Sequence, residues 1–281
     1  MASAAGAEPR LVDLLHLGRE HVIGAWLVGD VIVDPGPASC LPQLLDALQG
    51  RVPRALALTH IHLDHAGASG SLAAMFEDLE IWVHERGAPH MSDPSRLLAS
   101  ASRLYGADMA RLWGEVLPVP AERLRVLRGG EEIDGFEVAY TPGHAWHHVS
   151  YMHHASGWAF TGDVAGVRIA SGPTIAPTPP PDIDPPAWLR SLELLEAWRP
   201  RALAVTHFGY YEDALAQLRE LRAELARVES LAGSLEREQF TLALRARLAG
   251  GSEAAAYEQA MQPGQSYLGL RRYLERSATS A

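Results

Sequence analysis

The chain is predicted to fold as an α/β protein with a helical C-terminal appendage, and three observations carry that expectation. Short apolar runs that read as buried strands are each followed at once by a loop bearing histidine or aspartate. The octapeptide Pro53-Arg54-Ala55-Leu56-Ala57-Leu58-Thr59-His60 recurs as Pro200-Arg201-Ala202-Leu203-Ala204-Val205-Thr206-His207, with one conservative difference. Beyond Tyr210, Leu215, Leu218, Leu221, Leu225, Val228 and Leu231 repeat at three- and four-residue steps, which is the period of an amphipathic helix.

In chain order, residues 1–10 are small and polar and read as a disordered leader. Residues 11–209 read as the main α/β domain. Within it, helices are expected at roughly Cys40 to Leu48 and Pro186 to Trp198, each ahead of one copy of the octapeptide. The chain thus looks built from two βαβ-like halves that bring a histidine each to a shared edge. Phe136-Glu137-Val138-Ala139-Tyr140 alternates like a strand and is stopped by Pro142-Gly143. Residues 210–281 form the helical segment, with further helices near Leu235 to Leu248, Ser252 to Met261 and Tyr267 to Arg276. It could bind substrate, mediate a homodimer or pack on the domain.

The densest chemistry is His60-Ile61-His62-Leu63-Asp64-His65, directly after the strand-like Ala55 to Leu58. In extended chain His60, His62 and Asp64 share one side, whereas His65 projects differently, so one loop could serve two adjacent metals. Crowded imidazoles and a carboxylate at a strand end need a metal to compensate their burial. Further donors stand at other strand ends: His144 after Thr141-Pro142-Gly143, Asp163 after Thr161-Gly162, and His207 after Thr206. Strand ends are where α/β sheets place their sites.

Composition narrows the function. The 281 residues are 47% hydrophobic, enough to bury a sizeable core, and no apolar run is long enough to span a membrane. Net charge is −10, every one of the 24 basic residues is arginine, and no basic stripe exists, which argues against nucleic acid as substrate. The single cysteine, Cys40, excludes a thiolate cluster and fits a reducing cytoplasm.

Thr59-His60-x-His62-x-Asp64-His65-Ala66-Gly67, with His144, Asp163 and His207 downstream, resembles the metallo-β-lactamase-fold hydrolase superfamily, in its glyoxalase II-like branch. Val31-Ile32-Val33-Asp34-Pro35-Gly36-Pro37 is similar to that superfamily's early strand-and-turn, with Pro35 in the usual threonine position. The resemblance implies a four-layer αββα sandwich with metals at one edge. It implies that His60, His62 and His144 hold one metal, that Asp64, His65 and His207 hold a second, and that Asp163 bridges them. Two divalent ions are then expected, zinc by default, with iron or manganese compatible with nitrogen and oxygen donors. Such a pair, about 3.5–4 Å apart, acidifies a water to a hydroxide nucleophile and polarises the scissile group. Asp64 would also orient the nucleophile's proton.

The expected substrate is a small ester-like molecule: thioester, lactone, carboxylic ester or phosphoester, including phosphotriesters. The alternative is an oxidoreductase resembling the mononuclear-iron persulfide dioxygenases. A dedicated β-lactamase is disfavoured by aspartate at 163, and a glutathione pocket made with lysine is impossible in this chain, although arginines could substitute for it. His148 is expected to hydrogen-bond near the site, and His147 stands where the resemblance places glycine. Residues 86–118 and the proline-rich stretch Ser171 to Pro186 are the expected pocket walls, with Trp146 a further wall candidate and Arg168 the expected cation for an acidic substrate group. His84, His90, His153 and His154 are expected at the surface or in the core, and His16 and His21 have no assigned role.

Overall fold

The computed structural model describes residues 4–248 and 251–280. Twelve strands form two six-stranded sheets. The first holds β1 (Arg10–Asp13), β2 (Gly24–Val28), β3 (Val31–Val33), β4 (Ala55–Ala57), β5 (Glu80–His84) and β6 (Leu124–Leu127), side by side in that order. The second holds β7 (Glu132–Ile133), β8 (Phe136–Tyr140), β9 (Val149–His153), β10 (Trp158–Gly162), β11 (Ala202–Val205) and β12 (Gly209–Tyr211), also in chain order. β3 to β6 run parallel and β10 pairs parallel with β11; the remaining pairs are antiparallel. Helices α1 (Leu41–Leu48), α2 (Leu63–Ala66), α3 (Ser69–Met75), α4 (Ala88–Ser92), α5 (Ser95–Tyr105), α6 (Met109–Trp113) and α7 (Pro185–Trp198) occupy the connections. Four more follow: α8 (Ala214–Ser234), α9 (Arg237–Leu248), α10 (Ala254–Ala260) and α11 (Pro263–Ser280).

The period-two alternation of the strands builds the four layers. Val31, Val33, Ala55 and Ala57 join Phe136, Val138, Phe160 and Ala204 in the core between the sheets. Their neighbours Ile32, Leu56, Leu203 and Val205 point the other way, into the core beneath the helices with Leu44, Leu48, Trp188 and Leu192. Both faces of the central strands are therefore buried, which is why they read as continuous apolar runs. The result is the αββα sandwich expected.

The octapeptide echo has a structural counterpart. β3, α1 and β4 form one parallel unit and β10, α7 and β11 another, in different sheets. At the ends of these units the sheets are tied together: the Thr59 carbonyl accepts from the Val149 amide at 2.8 Å, and the Thr206 carbonyl from the Gly24 amide at 2.8 Å.

Two boundaries are corrected. The leader expectation fails for its described part: Ala4–Gly6 forms a 3-10 turn, Ala4 is buried, and its carbonyl accepts from His153 Nε2 at 2.8 Å. Met1 to Ser3 lie outside the described residues. At the other end, the expected start of the helical segment at 210 falls inside β12, the edge strand of the second sheet. The C-terminal helices are no detached appendage, because Leu218, Leu221, Leu225 and Val228 share one core with Trp188 and Leu195 of α7. Among the described residues, no helix is long and apolar enough to cross a membrane.

Candidate metal centre

The seven residues expected to hold metal converge on one edge of the sandwich. β4 ends at Ala57, the chain bends at Thr59, and His62 is extended (φ −60°, ψ 150°) before α2 begins at Leu63. The expectation that Asp64 continues the extended run is thus corrected. The turn into helix separates His60 and His62 from Asp64 and His65 and sends the two pairs to different partners. His144 follows the Pro142-Gly143 stop after β8, His207 follows β11, and Asp163 follows β10. β10 carries a register shift between Phe160 and Gly162, where the bulge redirects the chain towards the edge. Gly162 adopts φ +47°, and a Cβ there would stand 2.4 Å from Thr59 Oγ1 and 3.0 Å from His148 Nε2, so no larger residue fits.

Two groups of three result. His62 Nδ1 stands 3.0 Å from both His60 Nε2 and His144 Nε2. Asp64 Oδ2 stands 3.4 Å from His207 Nε2 and 4.0 Å from His65 Nε2. In each group the candidate donor atoms lie within 4.8 Å of one another. Asp163 sits between them: its Oδ2 is 3.3 Å from His144 Nε2, and its Oδ1 is 3.3 Å from His65 Nε2 and 3.5 Å from His207 Nε2.

The outward sides of these imidazoles are tied down. His65 Nδ1 contacts Asp34 Oδ2 at 2.8 Å, His207 Nδ1 the Val22 carbonyl at 2.6 Å, and His144 Nδ1 the Pro177 carbonyl at 2.9 Å. Each acceptor takes the Nδ1 proton, which leaves the Nε2 lone pair facing inward. Thr59 Oγ1 donates to Asp34 Oδ2 at 2.7 Å and can therefore accept from His60 Nδ1, 3.1 Å away. The inward atoms His65 Nε2, His207 Nε2 and Asp163 Oδ1 are buried without a hydrogen-bond partner. His65 Nε2 and His207 Nε2 stand 3.3 Å and 3.5 Å from Asp163 Oδ1, so the three atoms face one shared space. Buried orphans of this kind fit a cation.

The electrostatics of the metal-free edge agree. Burial opposes ionisation of Asp163, yet the positive charges of His65, His207 and His144 outweigh it and hold the carboxyl well below the usual range. Asp64 is likewise held down, against burial, by His65 and His207. Burial pushes His144 down to about 4, and burial together with neighbouring imidazoles lowers His60 as well. His65 and His207 are raised despite burial, His65 by Asp163, Asp34 and Asp64 and His207 by Asp163 and Asp64. A cluster able to hold protons this tightly in place of a cation is one whose donor charge matches a cation.

Asp34 is the residue whose part the sequence did not reveal. Its fully buried carboxylate accepts from the Thr59 amide, Thr59 Oγ1, Thr206 Oγ1 (2.8 Å) and His65 Nδ1. The signal was present in the echo, since threonine precedes histidine in both copies and both hydroxyls meet on Asp34 Oδ2.

Other expectations resolve individually. His148 is buried behind the His60 ring, 5.1 Å between centroids, with Nδ1 against Thr141 Oγ1 at 2.9 Å. Trp146 packs under the Arg86 guanidinium and is not a cavity wall. Arg168 is corrected: its Nη1 donates to Asp213 at 2.8 Å and to Gln217 at 3.2 Å, and its guanidinium lies over Tyr211, so it does not face substrate. His84 stacks on Tyr140, His153 is buried between Ser156 and Ala4, and His154 is exposed beside Glu132.

A cavity of about 370 Å³ opens over the two donor groups, bordered by His62, Asp64, Asp163 and His207. Its walls come from α5 and α6, from the proline-rich stretch (Pro177, Pro179 to Asp182) and from the turn between α10 and α11. His16, His90 and His147, which carried no assigned substrate role, also border it.

Residues 24–228 match the family described as the Metallo-beta-lactamase superfamily. The metallo-beta-lactamase fold-containing protein ST1585 of Sulfurisphaera tokodaii is 27% identical over 233 residues, spanning 76% of this chain and 85% of that protein. A hydroxyacylglutathione hydrolase of Xanthomonas euvesicatoria is 32% identical over 148 residues, but the match spans only 51% of this chain and 46% of that enzyme. Among solved structures, TTHA1623 in a di-iron-bound form superposes with TM-score 0.56 at 28% identity, covering 71% of this chain and 93% of that one. Fold, donor-rich edge and relatives named as metallo-hydrolases define the class, a metal-dependent hydrolase. The chain belongs to the metallo-beta-lactamase superfamily.

Proposed function

We propose that this edge is a dinuclear centre and that the protein hydrolyses a small ester-like molecule, whether a thioester, lactone, carboxylic ester or phosphoester. The observation that carries the reading is Asp163, whose two oxygens face one donor group each. His60, His62 and His144 would hold one ion and Asp64, His65 and His207 the other, with Asp163 shared. Zinc is the default for such a set, and iron stays in view because TTHA1623 was solved in a di-iron form. Bound ions would supply an acidified water and polarisation of the scissile carbonyl or phosphoryl oxygen.

The chain's own residues do the remainder. Asp64, partly exposed at the cavity floor, is placed to accept the nucleophile's proton on its carboxylate. Asp34, Val22 and Pro177 keep the imidazoles in the tautomer that presents Nε2 inward. The cavity walls hold the substrate against the edge and exclude bulk water. The alternative, an oxidoreductase resembling the mononuclear-iron persulfide dioxygenases, is compatible with the same donor set, so metal content separates the two readings. The size of the cavity suits a small molecule, and the single cysteine keeps a reducing cytoplasm as the expected setting.

The test is metal quantification on protein purified without added metal, followed by a panel of chromogenic thioester, lactone, ester and phosphotriester substrates. Two metal equivalents with turnover are expected. One iron with sulfur-dependent oxygen uptake would replace this reading by the alternative.

A further inference from the structure

The cavity wall is chemically lopsided. On the side built by α5 and α6 stand Leu97, Ala101, Leu104 and Trp113, joined from the facing segments by Ile23 and Met261. Trp113 is itself fixed, stacked on His16 at 5.6 Å and edge-on to Tyr105 at 5.1 Å. His16 is held in turn by the Leu112 carbonyl and the Gln259 amide. Trp113 is thus packed on two sides within an apolar surface.

Against it, the means of reading charge are few. The chain has no lysine, and among the described residues Arg96 is the one arginine on the cavity wall. Arg96 is exposed on α5, at the mouth rather than the floor. The other charged side chain on the wall, apart from the candidate ligands and the histidines, is Asp182, which is acidic and acts on His62. The other polar contacts are neutral: Tyr105 donates to Gln265 Oε1 at 3.2 Å, and Gln265 Nε2 donates to Gln262 Oε1 at 2.7 Å. That relay leaves the Gln262 amide hydrogens free at the mouth, as donors for an uncharged acceptor.

We propose that the substrate is an uncharged ester or lactone with an apolar acyl chain lying along the α5–α6 wall, and not a glutathione thioester. The proposal rests on the hydrolase reading of the edge and narrows it. Glutathione carries two carboxylates, and the wall offers them one guanidinium, exposed at Arg96, with His90 and His147 as further basic groups and Asp182 as an acidic one. A neutral acyl chain gains from the wall instead. Burying each methylene contributes about 0.8 kcal/mol, or roughly fourfold in kcat/KM, until the wall is filled.

The test uses the metal-loaded full chain and a series of p-nitrophenyl esters from acetyl to octanoyl, beside a glutathione thioester. Several-fold gains in kcat/KM per added methylene are expected at first, with the glutathione thioester far below the best ester. Leu104→Asp should remove the chain-length gain, so that the ratio of octanoyl to acetyl kcat/KM falls several-fold from its wild-type value. Arg96→Ala should leave turnover of the neutral esters within about twofold. A flat chain-length profile, or a glutathione thioester preferred over every ester and weakened by Arg96→Ala, overturns the proposal. Calorimetric binding of a non-hydrolysable octanoyl amide, against the acetyl amide and oxidised glutathione, separates the two readings. If no ester is cleaved but the octanoyl amide binds best, the hydrolase reading has failed and the cavity assignment stands. If glutathione binds best or no chain-length preference appears, the cavity assignment has failed.

Discussion

At the scale of single residues, Asp34 explains more of the site than its place in a turn suggests. Four donors converge on its buried carboxylate, two of them hydroxyls from the two copies of the echo. Removing it leaves a buried amide, two hydroxyls and an imidazole unpaired, and each orphan costs about 1–3 kcal/mol. Asp34→Ala is therefore expected to destabilise the protein by about 3 kcal/mol or more in chemical denaturation. Asp34→Asn keeps the shape but loses the charge that orients His65 Nδ1, and metal affinity measured by chelator competition should fall roughly 10- to 100-fold. Unchanged affinity in Asp34→Asn would remove Asp34 from the account. Gly162→Ala places a Cβ against Thr59 and His148 at positive φ, and about 1–3 kcal/mol of stability should be lost.

At the scale of elements, the candidate ligands were legible because each stands where an apolar run stops, and the strands at 31–33, 136–140 and 202–205 match the patterns that marked them. What could not be read depended on contacts distant in sequence. Arg168 looked like a free cation because its partner Asp213 lies 45 positions away. β12 was hidden because three residues of an edge strand carry no period, and they sit ahead of a strong helical repeat. The leader was misread at Ala4 because only the fold shows His153 waiting for its carbonyl. The C-terminal helices read correctly as helices, but their burial into the common core could not be seen. Since Leu221 of α8 is fully buried in that core, Leu221→Ala should cost about 2–5 kcal/mol, with the whole chain still unfolding in one step. Two separate thermal transitions, only one of them shifted, would make the helices an independent unit.

At the scale of the whole molecule, two sheets meet so that strand ends from both deliver nitrogen and oxygen donors to one edge, with charge balanced by protons or by metal. In the metal-free protein, His65 and His207 have raised pKa values, so their contribution to stability is present at low pH and lost as pH rises through those folded values. Asp64 and Asp163 are depressed, so theirs is present above the usual carboxylate range and lost as pH falls through the folded values. Metal-free protein should thus be most stable between the two ranges, and thermal melting should shift down on the alkaline side. Metal binding should release protons below the folded pKa values of His65 and His207 and flatten the alkaline loss. The central claim is that Asp163 joins two ions into one hydrolytic centre, and metal content measured together with ester turnover in wild type and Asp163→Ala tests it most directly. The account predicts two equivalents with turnover in wild type, and one or none without turnover in the variant. Two equivalents and full turnover in Asp163→Ala would contradict it.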